Sequence, residues 1–215
     1  MKKTIFGLLL MCCTLAAHAQ LKPLQDDRYA TKDVLAQLEG MVDKFCKYVE
    51  FIGSTPIDEK DRAVLSEKKK RMREDEVPKL FHHYEERKMI TTSSYTGKAK
   101  PPKPMRTYFR NLQTQADYGR MDSRITYDLE FTFASDKGKL EWKKGKRHPD
   151  GTQEYEAKVF IYQTYLNETV RGLEVVRQRR EVDRKEMIVK RIVLPNGNTV
   201  YGLDDIKSAE QLRNG

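Results

Sequence analysis

Two hydrophobic periods divide this chain, and the change between them limits what it can become. From Thr31 to Ile52, Leu35, Leu38, Val42, Phe45, Val49 and Ile52 recur at three- and four-residue steps, widened by Val34 and Met41. That spacing lines one face of an α-helix. From Arg124 onward the step is two. Ile125, Tyr127, Leu129, Phe131 and Phe133 alternate with Thr126, Asp128, Glu130 and Thr132, as in a half-buried strand. Helices first and strands afterwards predict an α+β fold, with N-terminal helices packed on a curved antiparallel sheet.

Within the helical half, residues 31–115, Thr31 is placed to cap the first helix and Gly53 to close it in a left-handed turn. A second helix is expected over Asp58–Glu76, with only Val64, Leu65 and Met72 to lay it on the surface. Pro78 then opens a third segment containing FHHYEER. Gly97–Pro104 is Pro-rich and basic and is expected to be irregular. A short helix over Met105–Gln115 would place Tyr108, Phe109 and Leu112 on one side.

The sheet half, residues 122–203, continues through a turn at Asp136-Lys137-Gly138 into a strand at Leu140–Lys144. A turn at His148–Gly151 leads to a long strand from Thr152 to Leu166, with Tyr155, Ala157, Val159, Ile161 and Tyr165 on one face. Another strand is read at Val170–Gln178. Asn196-Gly197 joins Met187–Leu194 to Thr199–Leu203 as a hairpin. Asp204 or Asp205 would cap a closing helix over 204–213, with Ile206, Ala209 and Leu212 on its apolar side.

This order of elements, from Thr31 to Leu203, resembles the cone-shaped nuclear transport factor-like fold, also seen in cystatin-like proteins. The resemblance implies a pocket between helix and sheet. It rests on no motif, so it carries over no functional residue.

The N-terminus points to export. Met1-Lys2-Lys3, an apolar run from Ile5 to Leu15, and Ala17-His18-Ala19 before Gln20 read as a signal peptide over residues 1–19. Lipidation would need Cys12 or Cys13, but Met11 and Cys12 precede them where a small residue belongs. The expected location is the periplasm or envelope of a Gram-negative bacterium. A flexible lead-in over 20–30 and a single domain over 31–215 follow, and no later segment is apolar enough to cross a membrane. Only Cys46 remains after cleavage, so no internal disulfide is available.

The chain carries 41 Lys+Arg and 32 Asp+Glu, a formal charge of +9, two units less once Lys2 and Lys3 leave with the leader. Export directs that charge away from nucleic acid and towards an envelope protein, a glycan or an anionic surface. Basic residues cluster at Lys68–Arg73, Lys98–Arg106 and Lys143–Arg147. Where acids such as Glu74-Asp75-Glu76 adjoin them, they read as solvated faces. Lys98, Lys100, Lys103 and Arg106 are the preferred contact, because a Pro-restricted backbone loses less entropy on binding.

Other candidates have plainer readings beside the functional ones. On a helix, His82 and Glu86 share an exposed face at metal-ligand spacing, yet too few histidines remain to complete a site, and a solvated pair suffices. Cys46 flanks the apolar stripe and reads as a packed thiol. Tyr127, Phe131, Trp142, Tyr155 and Tyr162 could line a cavity, although strands favour aromatics for packing alone. Glu130, Glu141 and Glu156 are acid–base raw material only if the strands bring them together.

No nucleophile elbow, zinc-protease helix, phosphate loop or dinucleotide fingerprint occurs, so no cofactor is implied. The expectation is an exported, non-catalytic binding protein. The alternative is a small-molecule pocket protein or an isomerase- or hydrolase-type enzyme, with Tyr127, Trp142 and Tyr162 around an apolar ligand.

Overall fold

The computed structural model describes residues 28–56, 61–91, 100–118, 123–136, 139–171 and 174–208. Helix α1 spans Lys32–Gly53, and Thr31 caps it by accepting the Val34 N–H on its hydroxyl at 3.3 Å. Leu38, Val42, Phe45, Val49 and Ile52 are buried, as the stripe requires. Gly53, however, does not close the helix in a left-handed turn. It stays helical, and extended Ser54 ends the element by donating its N–H to the Glu50 carbonyl at 3.0 Å.

Helix α2 is shorter than its pattern suggests, at Arg62–Arg71. A π turn over Met72–Glu76 and a 3-10 turn over Val77–Leu80 follow; positions 58–60 lie outside the described residues. Its buried residue is Lys69, not an apolar one, and Val64 stands 70% exposed.

FHHYEER is not a continuous helix. Phe81 is extended and bridges Leu203, and the His82 N–H donates to the Leu203 carbonyl at 3.1 Å. His83 turns the chain left-handed at φ 54°, before a second 3-10 turn at Tyr84–Glu86. Pairing with a sheet edge wins over helical continuation here. Val77, Leu80, Phe81 and Tyr84 are nevertheless all buried.

Two short strands follow, β1 at Lys88–Met89 and β2 at Lys103–Pro104. The end of the segment expected to be irregular thus pairs with β1, and Pro104 sits on the outermost strand, where no N–H is needed. Helix α3, Met105–Tyr118, buries Tyr108, Phe109 and Leu112 as its pattern predicts, with Ala116 and Asp117. The Phe45 ring meets Phe81 and Phe109 edge-on at 6.0 and 5.9 Å.

The sheet half contains β3 (Ser123–Phe133), the two-residue strands β4 (Ser135–Asp136) and β5 (Lys139–Leu140), β6 (Lys143–Arg147), β7 (Gln153–Arg171), β8 (Glu174–Val193) and β9 (Thr199–Ser208). The large sheet is open and curved, with seven strands. Their order is β2-β1-β9-β8-β7-β3, with β6 also on β7. All pairings are antiparallel except β1 with β9. The fold is α+β, with a mixed rather than wholly antiparallel sheet.

Three further expectations need correction. Val170–Gln178 is not one strand: Thr169 pairs with Arg177 and Arg171 with Glu174, so the stretch bridges the two arms of the β7–β8 hairpin. No helix begins at Asp204 or Asp205, because β9 runs through both to Ser208, held on β8 by pairs from Val193–Thr199 to Lys185–Ser208; Ala209 and Leu212 lie outside the described residues. Residues 28–30, the end of the expected lead-in, are tied down. The Ala30 N–H donates to Leu140 at 2.9 Å and the Trp142 N–H to Arg28 at 2.7 Å.

Strand β3 is at an edge of the sheet, and the C-terminal end of α1 covers its free N–H groups. Ile125 donates to the Thr55 hydroxyl at 2.9 Å, Tyr127 to the Ser54 hydroxyl at 3.2 Å and Leu129 to the Glu50 carboxylate at 2.8 Å. An otherwise open edge is thereby closed to a second strand. It also fixes α1 and β3 as one wall of the interior.

Candidate ligand-binding cleft

Alternate residues of a strand share a face. In β8, Arg179, Glu181, Asp183 and Lys185 therefore point together, towards α3. The register sets Asp183 beside Gln163 and Glu181 beside Tyr165 on β7, and Tyr165 in turn beside Tyr127 on β3. Helix α3 faces them with Tyr108, Asn111, Leu112 and Gln115, and Thr91, Lys100 and Lys103 complete a cleft of about 240 Å³. The Lys100 N–H donates to the Thr91 carbonyl at 2.8 Å.

The electrostatics are uneven. Lys185 is 2% exposed and paired with Asp183, and Arg179 pairs with Glu181. Lys100 and Lys103 have no carboxylate partner among the described residues, which leaves the cleft with more cations than anions. The Tyr108 hydroxyl is buried with no hydrogen-bond partner, on a side chain 7% exposed, and the Gln163 Oε1 is likewise buried and unpartnered. Burial, then the nearby Tyr127, Asp183 and Cys46, push the Tyr108 pKa well up. Burial does the same for Tyr127. Both phenols keep their protons at neutral pH and so have an O–H to offer an acceptor.

Lys100 and Lys103 of the basic segment meet Tyr127 of the aromatic set in this cleft. Lys98 lies outside the described residues. Arg106 points elsewhere, 4.0 Å from Glu85 with both side chains exposed. The remaining aromatics do not converge. Phe131 packs edge-on to Phe133 at 6.0 Å, Trp142 lies 6.2 Å from Tyr201, and Tyr155 lies under the Arg191 guanidinium at 5.0 Å. Tyr162, opposite Glu130 in the register, is on the other face of the sheet and 40% exposed. An apolar cage of Tyr127, Trp142 and Tyr162 is therefore not formed.

His82 and Glu86 are separated by the left-handed His83 and do not share a helix face. Burial, then the adjacent His83, lower the His82 pKa. Among the described residues no group of three His, Cys, Asp or Glu side chains is arranged to hold a metal ion. Cys46 is buried, and burial, followed by Glu50 and Asp43, pushes its thiol up to about 12. Glu130, Glu141 and Glu156 also stay apart: Glu141 binds Arg28 at 2.7 Å, and Glu156 lies 3.6 Å from Lys190.

Two charge clusters, one buried and one half-buried, carry no signal in the sequence. The first joins α2 to α3: Lys69 binds Asp117 at 3.0 Å and the Ser54 carbonyl at 2.7 Å, while Ser66 and Gln113 donate to the other Asp117 oxygen. The second crosses the sheet. Glu154 accepts from Lys190 at 2.8 Å and contacts His148 at 2.6 Å, while Asp204 takes Lys190 at 2.9 Å and Arg87.

In the cleft itself, Asn111, Gln115, Gln163 and the β8 charges were missed. Charged residues alternating in a strand look solvated unless the opposing wall is known. No family model matches the chain, and no curated protein matches it. No described helix is long and apolar enough to cross a membrane.

Proposed function

We propose that this is an exported, non-catalytic binding protein of the bacterial cell envelope, which takes an anionic group of its partner into the cleft between α3 and the sheet. The carrying observation is that Lys100 and Lys103 reach this cleft with no carboxylate to neutralise them among the described residues. Cations left unpaired beside buried hydrogen-bonding groups favour an incoming anion. The resemblance to nuclear transport factor-like cones belongs to the same proposal, and a cleft between helix and sheet supports it.

The test is association of the purified protein with envelope fractions at low and high salt. Binding should weaken as salt rises, and Lys100→Glu with Lys103→Glu should abolish the salt-sensitive part. Unchanged association of that double variant overturns the reading. One observation favours an enzyme instead: Asp183, Lys185 and Tyr108 gather acid–base groups in one cleft. Asp183 is held by Lys185, however, which limits it as a base. A ligand that raises the melting temperature and is recovered intact supports binding; its chemical conversion supports catalysis.

A further inference from the structure

The lining of the cleft narrows the ligand further, an argument that rests on the binding role proposed above. We infer that the cleft holds one sugar unit carrying a single anionic group, a carboxylate or a phosphate. An apolar ligand would strip water from Lys100, Lys103 and the part-exposed Arg179, Glu181 and Asp183 with nothing in return. A bare inorganic anion would engage the lysines and leave the amide and phenol groups unused. A sugar acid or sugar phosphate uses both sets. Its anionic group meets Lys100 and Lys103. Its hydroxyls, each a donor and an acceptor, match the side-chain amides of Asn111, Gln115 and Gln163, which offer both kinds of group.

Two buried atoms mark where those hydroxyls bind. The Tyr108 hydroxyl, on a side chain 7% exposed, and the Gln163 Oε1 have no partner within the described protein, and unpaired buried polar groups are costly. A ligand hydroxyl that accepts from Tyr108, or donates to Gln163, satisfies them. Size agrees: about 240 Å³ is roughly eight water volumes at ~30 Å³ each, enough for one hexose-sized ring and too little for an acyl chain or a folded segment. The ring has the half-buried Tyr165 side chain beside it, itself packed on buried Tyr127 with ring centroids 5.3 Å apart.

Calorimetric titration of the whole chain tests this with four probes: glucuronate, glucose 6-phosphate, glucose and sulfate. At least one anionic sugar should bind, with glucose and sulfate each about tenfold weaker or worse. The better of the two anionic sugars identifies the anionic group. Tyr108→Phe should lower that affinity about tenfold while the melting temperature holds or rises, since an unpaired buried hydroxyl is lost. Lys100→Gln, on an exposed side chain, should reduce the anionic sugar to the glucose level.

Failure of both anionic sugars to bind overturns the inference, as does sulfate matching them with Tyr108→Phe unaffected. If envelope association still depends on Lys100 and Lys103 in that case, the saccharide inference falls alone. If association ignores salt and both lysines while the sugars bind, the envelope role falls and the site stands.

Discussion

Gly53 ends α1 directly over the ring of Tyr127: a Cβ at position 53 would lie 2.6 Å from the tyrosine Cδ2 and 2.7 Å from Cε2. The absence of a side chain at the helix end thus lets the first wall of the interior close on a residue that lines the cleft. Gly53→Ala should gain about 1 kcal/mol in helix propensity and lose about 1–3 kcal/mol to overpacking. The expected net result is a small destabilisation in urea unfolding, together with weaker ligand binding as Tyr127 is pushed aside. A stabilised variant with unchanged binding would show that the ring moves freely.

Lys69 and Asp117 should behave as a unit. Each side chain is 2% exposed, and burial, working against the bond to Asp117, lowers the Lys69 pKa. Lys69→Met leaves Asp117 charged and buried, so about 3–5 kcal/mol should be lost. The double replacement Lys69→Met, Asp117→Leu should recover part of that. Ser66 and Gln113, which donate to Asp117, limit the recovery. Urea unfolding of the two single variants and the double variant measures the coupling.

Acid sensitivity should centre on Glu154. Burial opposes its charged form, but hydrogen bonds from Lys190 and His148 prevail and hold its pKa down at about 2. The folded protein therefore binds fewer protons than the unfolded chain as pH drops below the ordinary carboxylate range. This contribution is fully present above that range and drains away as pH falls towards 2. Asp204, lowered by Lys190 and Arg87 against its burial, acts in the same direction. Melting curves from neutral pH down to about pH 3 should show a shallower acid decline for Glu154→Gln than for the unaltered protein.

The Cys46 thiol, pushed up to about 12 mainly by burial, should resist thiol reagents at pH 8 in the folded protein. It should label on the timescale of unfolding once urea is added. Rapid labelling of the native chain would contradict its burial.

Legibility in the sequence followed apolar patterning. The residues of α1, α3, β3 and the final hairpin carry their apolar side chains at a fixed period, and the element type follows from which side must leave water. The FHHYEER segment shows the limit of that rule. Its apolar positions are buried as a helix would bury them, yet Phe81 and His82 pair with Leu203, a partner far away in the chain that no local period announces.

Charge was the harder signal. Within Lys68–Arg73 the lysines look alike, but Lys69 alone meets Asp117, 48 residues away. Asp204 has the residue type of a helix cap, but in the sheet its carboxylate takes Lys190 and Arg87 instead. Lys185 stands in a run of charges, Glu181–Glu186, and nothing in that run marks it as the 2% exposed partner of Asp183.

The order of helices before strands, and the faces their apolar residues bury, were determined by the sequence alone, since the hydrophobic effect acts on each amphipathic segment wherever its partner lies. Which charges are buried, and that Lys100, Tyr108 and Gln163 share one cleft, was decided only by tertiary structure. A charge is tolerated away from water only where a partner from another element meets it, and such meetings are set by strand register and helix placement, not by neighbours along the chain.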